Sequence, residues 1–222
     1  MPYKERYAFE NMNFIAKLAH DMKTPVNAQI RAMELLYSGA FGKLSREAKN
    51  IILNVTASNI YLQSLLDNVL SDYRINNGNF ILKKTKNDIR KTIEKAVINI
   101  GILFETKGQK IVINCMTDEF IKNYDEIEIQ RVLINLLSNA FEYAKENSDI
   151  TINVRRNSLG LNIEIKSYTK ITENYGKKTK FDFNKSNCGL GLIICEKIIN
   201  AHNGKIFKEI QNGEYIVSFC IP

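Results

Sequence analysis

The sequence predicts an α+β fold in two parts, a long two-helix hairpin that forms a dimeric four-helix bundle and, after it, an α/β sandwich. Up to about residue 74, apolar residues recur at intervals of three, four and seven, which is the spacing of amphipathic helices. After Gly78, strand-like alternation and helical patterns follow one another, as in a sheet covered by helices. We therefore expect one domain over 1–78 and a second over 79–222.

The first helix is expected over residues 3–37, a stretch without glycine. The segment 38–45 holds two glycines and ends in Ser45, which suits the N-cap of a second helix over about 46–74. A hairpin of two such helices cannot bury both sides of its apolar stripe alone, so the pattern predicts a homodimer. The stripe consists of Ile15, Leu18, Met22, Val26, Met33, Leu36, Ile52, Val55, Ile60, Leu62, Leu65, Leu66, Val69 and Leu70.

The second part combines both periodicities. Strands are expected at 110–114, 150–154, 161–166 and 214–220, and helices at about 88–106, 126–146 and 189–202. This arrangement favours one mixed sheet covered by helices.

Composition narrows the function. The net charge is +7, but the lysines are spread along the chain without a dense basic block, so we expect no nucleic-acid binding. No stretch approaches the roughly 18 uninterrupted apolar residues of a membrane span. The four cysteines are widely spaced, which favours reduced thiols in a cytoplasmic setting over a disulfide framework or a zinc site.

One face of the first helix carries reactive chemistry. On a helical wheel His20 lies about 200° from the apolar stripe. Thr24 lies about 40° and Asp21 about 100° from His20. Pro25 bends the helix one turn past His20. A neutral imidazole is a nucleophile toward phosphorus, and a neighbouring carboxylate can fix its tautomer or take its proton. Taken alone, these residues also fit a surface histidine beside a helix irregularity.

The string HDMKTP at 20–25 resembles the H-box of sensor histidine kinases, namely His, acid, any residue, basic, Thr or Asn, and Pro. The resemblance extends from FIAKLAHDMKTPVNAQIRAMELL to SDYRINNGNFIL. It implies that His20 is the phospho-acceptor and Asp21 its general base. It also implies that Thr24 orients water when the same site dephosphorylates a partner.

A second cluster lies in EIQRVLINLLSNAFEYA, where Asn135 and Asn139 share a helical face apart from the packing residues. Amide oxygens suit a Mg²⁺ held mainly by nucleotide phosphates, although two such Asn also fit a polar surface. NLLSNAFEYA resembles the family's N-box, which implies that Asn139 binds Mg²⁺, Asn135 the phosphates and Tyr143 the adenine face. Glu142 departs from the usual Lys or Arg and would repel a triphosphate.

Gly189, Leu190 and Gly191 open the last helix, where glycines let backbone N–H groups approach phosphate. Before IICEKIINAHNGKI they resemble the family's second glycine box, although Asn187 replaces the usual preceding glycine. The first glycine box, Asp-x-Gly-x-Gly after a strand, is absent, because residues 166–170 read KSYTK. In the family that Asp accepts a hydrogen bond from the adenine amino group, so Ser167 is expected to be a poor substitute.

The segment between these motifs, about 171–186, corresponds to the family's nucleotide lid. It offers Phe181 and Phe183 as anchors, and its lysines fit either phosphate contacts or a solvated loop. His202 lies near a helix end, before Gly204, and is expected to be structural.

The resemblance implies a dimerisation and phosphotransfer domain followed by a GHKL-type ATP-binding domain that uses ATP and Mg²⁺. The first hypothesis is an autokinase that phosphorylates His20 and passes the phosphoryl group to an aspartate of a response-regulator receiver domain. The second is an ATP-independent phosphotransferase or phosphatase, and the third is a pseudokinase adaptor. The intact H-box opposes the third, and the missing first glycine box opposes the first.

Partner choice is expected to depend on exposed residues that flank His20, such as Asn27, Arg31 and Glu34. No sensor segment is evident in the sequence. We therefore expect either the cytosolic part of a longer membrane receptor, with its tether outside this chain, or a cytoplasmic protein that receives its signal through a partner.

Overall fold

The computed structural model describes residues 3–76, 78, 80–168, 190–211 and 213–222, with the backbone alone at 3–16, 106 and 211. The chain divides into two compact units, Met1–Phe80 and Ile81–Pro222. Within the described ranges, no helix combines the length and the apolar character needed to cross a membrane.

The first unit is a hairpin of α1 (Tyr3–Tyr37) and α2 (Arg46–Asn76), which confirms the two predicted helices. The Ser45 hydroxyl accepts a hydrogen bond from the Ala48 N–H at 3.1 Å and so caps α2 as expected. Lys23 pairs with Asp67, and the Gln63 amide donates to the Asn27 side chain at 2.8 Å. These contacts hold the two helices antiparallel.

The hairpin buries only part of its apolar stripe. Ala19 and Val26 of α1 are buried, as are Ile52, Leu53 and Ile60 of α2. The remaining stripe stays largely exposed in the single chain, including Leu18, Met22, Val55, Leu62, Leu65 and Val69. The hairpin thus presents an apolar surface that its own fold does not cover.

The described part of the second unit contains three helices and seven strands. In chain order the elements are β1 (Thr85–Asp88), α3 (Ile89–Thr106), β2 (Ile111–Cys115), β3 (Ile121–Tyr124), α4 (Glu126–Tyr143), β4 (Ile150–Asn157), β5 (Gly160–Tyr168), α5 (Leu190–Ala201), β6 (Lys205–Gln211) and β7 (Glu214–Ile221). The predicted hairpin and sandwich are both confirmed, although β1, β3 and β6 were not expected.

The four expected strands lie in one mixed sheet, as predicted, and the described residues add a second, two-stranded sheet. The larger sheet has the order β2-β4-β5-β7-β6, in which β2 runs parallel to β4 and the other pairs are antiparallel. The short strands β1 and β3 pair with each other in a separate ribbon. Both are only four residues long and mostly polar, which explains why they lack a clear alternating pattern.

One face of the larger sheet forms the core. Adjacent residues in register, such as Val154, Ile163 and Phe219, are fully buried on this face. The helices contact the sheet through α3 with β2, α4 with β5, and α5 with β6 and β7. This three-helix layer determines where the side chains of α4 and α5 lie.

Candidate functional site

The His20 side chain is 80% exposed on α1, as the helical wheel predicted. Its Nδ1 lies 3.3 Å from Oδ1 of Asp21, while Nε2 has no hydrogen-bond partner among the residues that the structure describes. A carboxylate only accepts hydrogen bonds, so this contact favours the tautomer that carries its proton on Nδ1. The lone pair of Nε2 is then open to solvent.

Thr24 lies one turn beyond His20, and its hydroxyl donates to the His20 carbonyl oxygen at 3.4 Å. Pro25 follows inside the helix. The structure therefore brings His20, Asp21 and Thr24 together on one exposed patch of α1.

The helices α4 and α5 pack antiparallel. At one end, the backbone N–H of Asp125 donates to Nε2 of His202 at 3.0 Å. Further along, the Cys195 sulfur lies 3.8 Å from the Val132 carbonyl oxygen, and the Asn135 side chain hydrogen-bonds the Cys195 thiol. Later residues of α4 thus lie beside earlier residues of α5, which brings the end of α4 close to the start of α5.

The end of β5 reaches the same place, because the backbone N–H of Lys145, just after α4, donates to the Tyr168 carbonyl oxygen at 2.8 Å. Three element ends therefore meet: the last turns of α4, the end of β5 and the first turn of α5. We call this the convergent end. It gathers Asn139, Tyr143, Ser167, Leu190 and Gly191, whereas Gly189 lies outside the described residues together with Asn187, Phe181, Phe183 and the lysines at 177, 178, 180 and 185.

Asn135 is only 4% exposed. Burial raises the pKa of the neighbouring Cys195 thiol to about 12, so the Asn135 amide contacts a neutral thiol. The helical wheel separated Asn135 from the packing residues, but α4 is covered by α5 as well as by β5, which widens its buried face. Asn139, one turn later, remains part-exposed.

Ser167 is 1% exposed and lies in register between Ile150 and Tyr215, which are also buried. Its neighbour Lys166 lies on the other side of the strand, where its Nζ is 2.7 Å from Glu214 Oε2. Within the described part of the chain, the buried side-chain oxygens without a hydrogen-bond partner are Ser167 Oγ and Gln109 Oε1. Ser167 is thus the polar member of an otherwise packed row at the convergent end.

The comparisons with known proteins agree with this geometry. The family model described as histidine kinase-, DNA gyrase B-, and HSP90-like ATPase matches residues 124–222. The sensor protein KdpD of Clostridium acetobutylicum is 28% identical over 225 residues, which cover 95% of this chain and 24% of that protein. The histidine kinase AdeS of Acinetobacter baumannii shares the fold with a TM-score of 0.60 at 20% identity, over 90% of this chain and 95% of that one. These matches support a sensor histidine kinase catalytic core.

Another structure of this fold is that of the histidine kinase ThkA in complex with the response regulator protein TrrA, with a TM-score of 0.56, 18% identity, and coverage of 99% of this chain and 66% of that one. The chain spans 24–35% of the length of the first curated relatives that it matches. Those relatives therefore contain long regions that have no counterpart in this chain.

The residues present fit a magnesium nucleotide at the convergent end. The part-exposed amide oxygen of Asn139 is the hard donor that Mg²⁺ accepts beside phosphate oxygens. The first turn of α5 presents backbone N–H groups at Leu190 and Gly191, and a helix N-terminus favours anionic groups. Tyr143, the last residue of α4, is 44% exposed.

Sequence reasoning missed three residues that support this end. Lys107 places Nζ 2.6 Å from the Phe141 carbonyl oxygen and 4.0 Å from the Phe141 ring centroid, so it caps the C-terminus of α4 next to Glu142. Gln109 donates from its amide to the Lys145 carbonyl oxygen at 2.9 Å. Cys195 is the third. These contacts join positions 34–63 residues apart, and no local pattern in the sequence signals them.

His202 was expected to be structural, and its contacts confirm this. Besides accepting from Asp125, its Nδ1 lies 2.8 Å from the Ile198 carbonyl oxygen inside α5. It is buried at the opposite end of α4 and α5 from Asn139.

Proposed function

We propose that this histidine kinase core binds Mg²⁺-ATP at the convergent end, phosphorylates His20 and passes the phosphoryl group to an aspartate of a response-regulator receiver domain. The observation that carries the proposal is the exposed His20 ring, whose Nδ1 is engaged by Asp21 while Nε2 is left open. A histidine merely exposed on a helix would not need an oriented carboxylate beside it.

In the first step, the Nε2 lone pair attacks the γ-phosphorus, a P–N bond forms, and the bond to the β,γ-bridging oxygen breaks to release ADP. The proton on Nδ1 stays hydrogen-bonded to Asp21, which stabilises the positive charge that develops on the ring. In the second step, the receiver carboxylate attacks the same phosphorus, the P–N bond breaks and neutral His20 is regenerated. Thr24 is proposed to orient water when the phosphorylated partner is hydrolysed.

At the convergent end, we assign the phosphates to the backbone N–H groups at Gly189, Leu190 and Gly191, and the base to Tyr143 and Ser167. Asn139 would hold Mg²⁺, which neutralises phosphate charge when bound. Asn135 was expected to contact the phosphates directly. Because its amide already hydrogen-bonds Cys195, we propose that it acts through α5 by fixing the register of the two helices.

Two observations support the proposed partners. The uncovered apolar surface of the hairpin supports a homodimer, because a second copy would bury it in a four-helix bundle. The ThkA complex supports a receiver domain as the partner, since a kinase of this fold is seen there with a response regulator.

A second function is favoured by the chemistry of the convergent end. The family acid is replaced by the neutral Ser167, and the exposed carboxylate of Glu142 replaces a cation. A site that had lost ATP would leave His20 and Thr24 as an ATP-independent phosphotransferase or phosphatase.

One experiment separates the two functions. The full chain is incubated with Mg²⁺ and γ-³²P-ATP, and acid-labile, alkali-stable label is measured in wild type, in His20→Ala and in the exposed α1 control Gln29→Ala. The proposal expects label in wild type and in the control and none in His20→Ala. Absence of label in wild type, combined with transfer to His20 from a phosphorylated receiver domain, would establish the second function; absence of both would refute the two together.

A further inference from the structure

Two buried side-chain oxygens of the described residues have no hydrogen-bond partner, Gln109 Oε1 and Ser167 Oγ, and hydrogen bonds link their stretches of chain to Lys145. The Gln109 amide bonds the Lys145 carbonyl oxygen, and the Lys145 N–H bonds the carbonyl oxygen of Tyr168, the residue next to Ser167. Buried hydroxyl and amide groups are almost always hydrogen-bonded in folded proteins. An unmet polar requirement at this end of α4 therefore points to a group that binds there.

Ser167 is the residue placed to meet such a group. Within the strand segment 166–168 it alone lies on the helix-covered face, because Lys166 is paired with Glu214 on the opposite face and Tyr168 is half exposed. Its nearest neighbours in register, Ile150 and Tyr215, are buried, so water does not compete freely for its hydroxyl. The Ser167 hydroxyl is also uncharged, which distinguishes it from a carboxylate.

We propose that the Ser167 hydroxyl reads the nucleotide base and that it allows the site to take guanine as well as adenine nucleoside triphosphates. The inference rests on the proposed nucleotide-binding function. Adenine carries an amino donor where guanine carries a carbonyl acceptor. A carboxylate accepts only and so favours the amino group, whereas a rotating serine hydroxyl donates or accepts and can pair with either.

Gln109 is compatible with both bases. Its amide N–H is fixed on the Lys145 carbonyl oxygen, which leaves Oε1 as an acceptor. Adenine and guanine each carry an amino group, so neither is excluded by an acceptor. The choice between them is therefore left to Ser167.

The test is calorimetric titration of the full chain, in the presence of Mg²⁺, with the β,γ-imido analogues of ATP and GTP. Wild type is compared with Ser167→Ala, with Ser167→Asp and with Ser218→Ala, a control on another strand of the same sheet. We expect wild type to bind the two analogues within about threefold of each other, and Ser167→Ala to bind both about five- to tenfold more weakly. Ser167→Asp should favour the ATP analogue by about tenfold or more.

The outcomes distinguish the inference from the function on which it rests. If wild type prefers the ATP analogue by more than about twentyfold, or if Ser167→Ala changes neither affinity, the inference is wrong while nucleotide binding stands. If wild type binds neither analogue at millimolar concentration, the proposed kinase function fails and the inference fails with it. Circular dichroism checks that each variant is folded, and the comparison of wild type with Ser167→Ala decides the matter even if the aspartate variant does not fold.

Discussion

Replacement of His202 tests whether α4 and α5 are held as the structure indicates. His202 is 3% exposed, and its Nε2 accepts from the Asp125 N–H at 3.0 Å. His202→Ala leaves that buried N–H without a partner, whereas the Ile198 carbonyl oxygen keeps its bond from the backbone N–H of residue 202. The loss therefore falls mainly on the start of α4.

The magnitude follows from the groups that are lost. A buried donor without a partner costs about 1–3 kcal/mol, and the space left by the ring adds about 1–2 kcal/mol, so we expect His202→Ala to lower the free energy of unfolding by about 2–5 kcal/mol. His202→Gln retains an acceptor of similar reach and should cost about 1 kcal/mol.

The comparison of wild type with His202→Gln also predicts how the free energy of unfolding depends on pH. Burial is the main cause that lowers the pKa of His202 from its ordinary 6.5, so the unfolded chain takes up the proton first as the pH falls. Wild type therefore loses stability below about pH 6.5, by at most about 1.4 kcal/mol per pH unit, and keeps it above that pH. His202→Gln lacks this titration, so its deficit relative to wild type shrinks in acid; the other histidine, His20, is present in both proteins and cancels.

Urea unfolding, followed by far-ultraviolet circular dichroism at about pH 7.5 and about pH 5.5, measures both effects. A loss below about 1 kcal/mol in His202→Ala would mean that the Asp125 N–H has another partner. A gap between wild type and His202→Gln that does not change with pH would refute the buried, neutral histidine.

Two further perturbations test the loops and the hairpin. Gly108 has φ 61°, so Gly108→Ala should lower the free energy of unfolding by about 1–2 kcal/mol. Gly101→Ala, in open space on α3, should raise it by up to about 1 kcal/mol. Thermal unfolding measures both changes, and equal shifts in Tm would contradict this expectation. Val55→Lys or Leu62→Lys, each at an exposed apolar position of α2, should convert the proposed dimer to monomer in sedimentation equilibrium. The exposed polar control Asn54→Lys should not. Dimers that survive both lysine substitutions would argue against the four-helix bundle.

The elements that could be predicted from the sequence are those with a long periodic pattern. The hairpin helices have more than 30 residues each, so their apolar spacing repeats many times. The helix α4 ends at Tyr143 and not at about 146, because Ala144 turns to extended backbone with ψ 152° and Lys145 bonds β5. Among the described strands, β6 pairs with β7 alone and so lies at an edge of the sheet. It carries charged residues that obscure its alternation.

The candidate site was predicted in its residue types but not in its assembly. Motif spacing placed Asn135 and Asn139 on one face, but the packing of α5 gives them different surroundings. Asn135 is buried and hydrogen-bonds Cys195, whereas Asn139 is part-exposed. The unpaired Ser167 hydroxyl depends on strand register and on the fit of Lys145 against Tyr168. Neither is encoded in a local pattern.

Asp125 links three distant stretches of the second unit. Its carboxylate caps α4 and accepts the Lys83 N–H at 2.7 Å, while its own N–H reaches His202, 77 residues further along. During synthesis, the hairpin can form once residue 80 has left the ribosome, but this junction is complete only after His202 has emerged. A nascent chain would therefore expose His20 well before the second unit has packed α5 against α4.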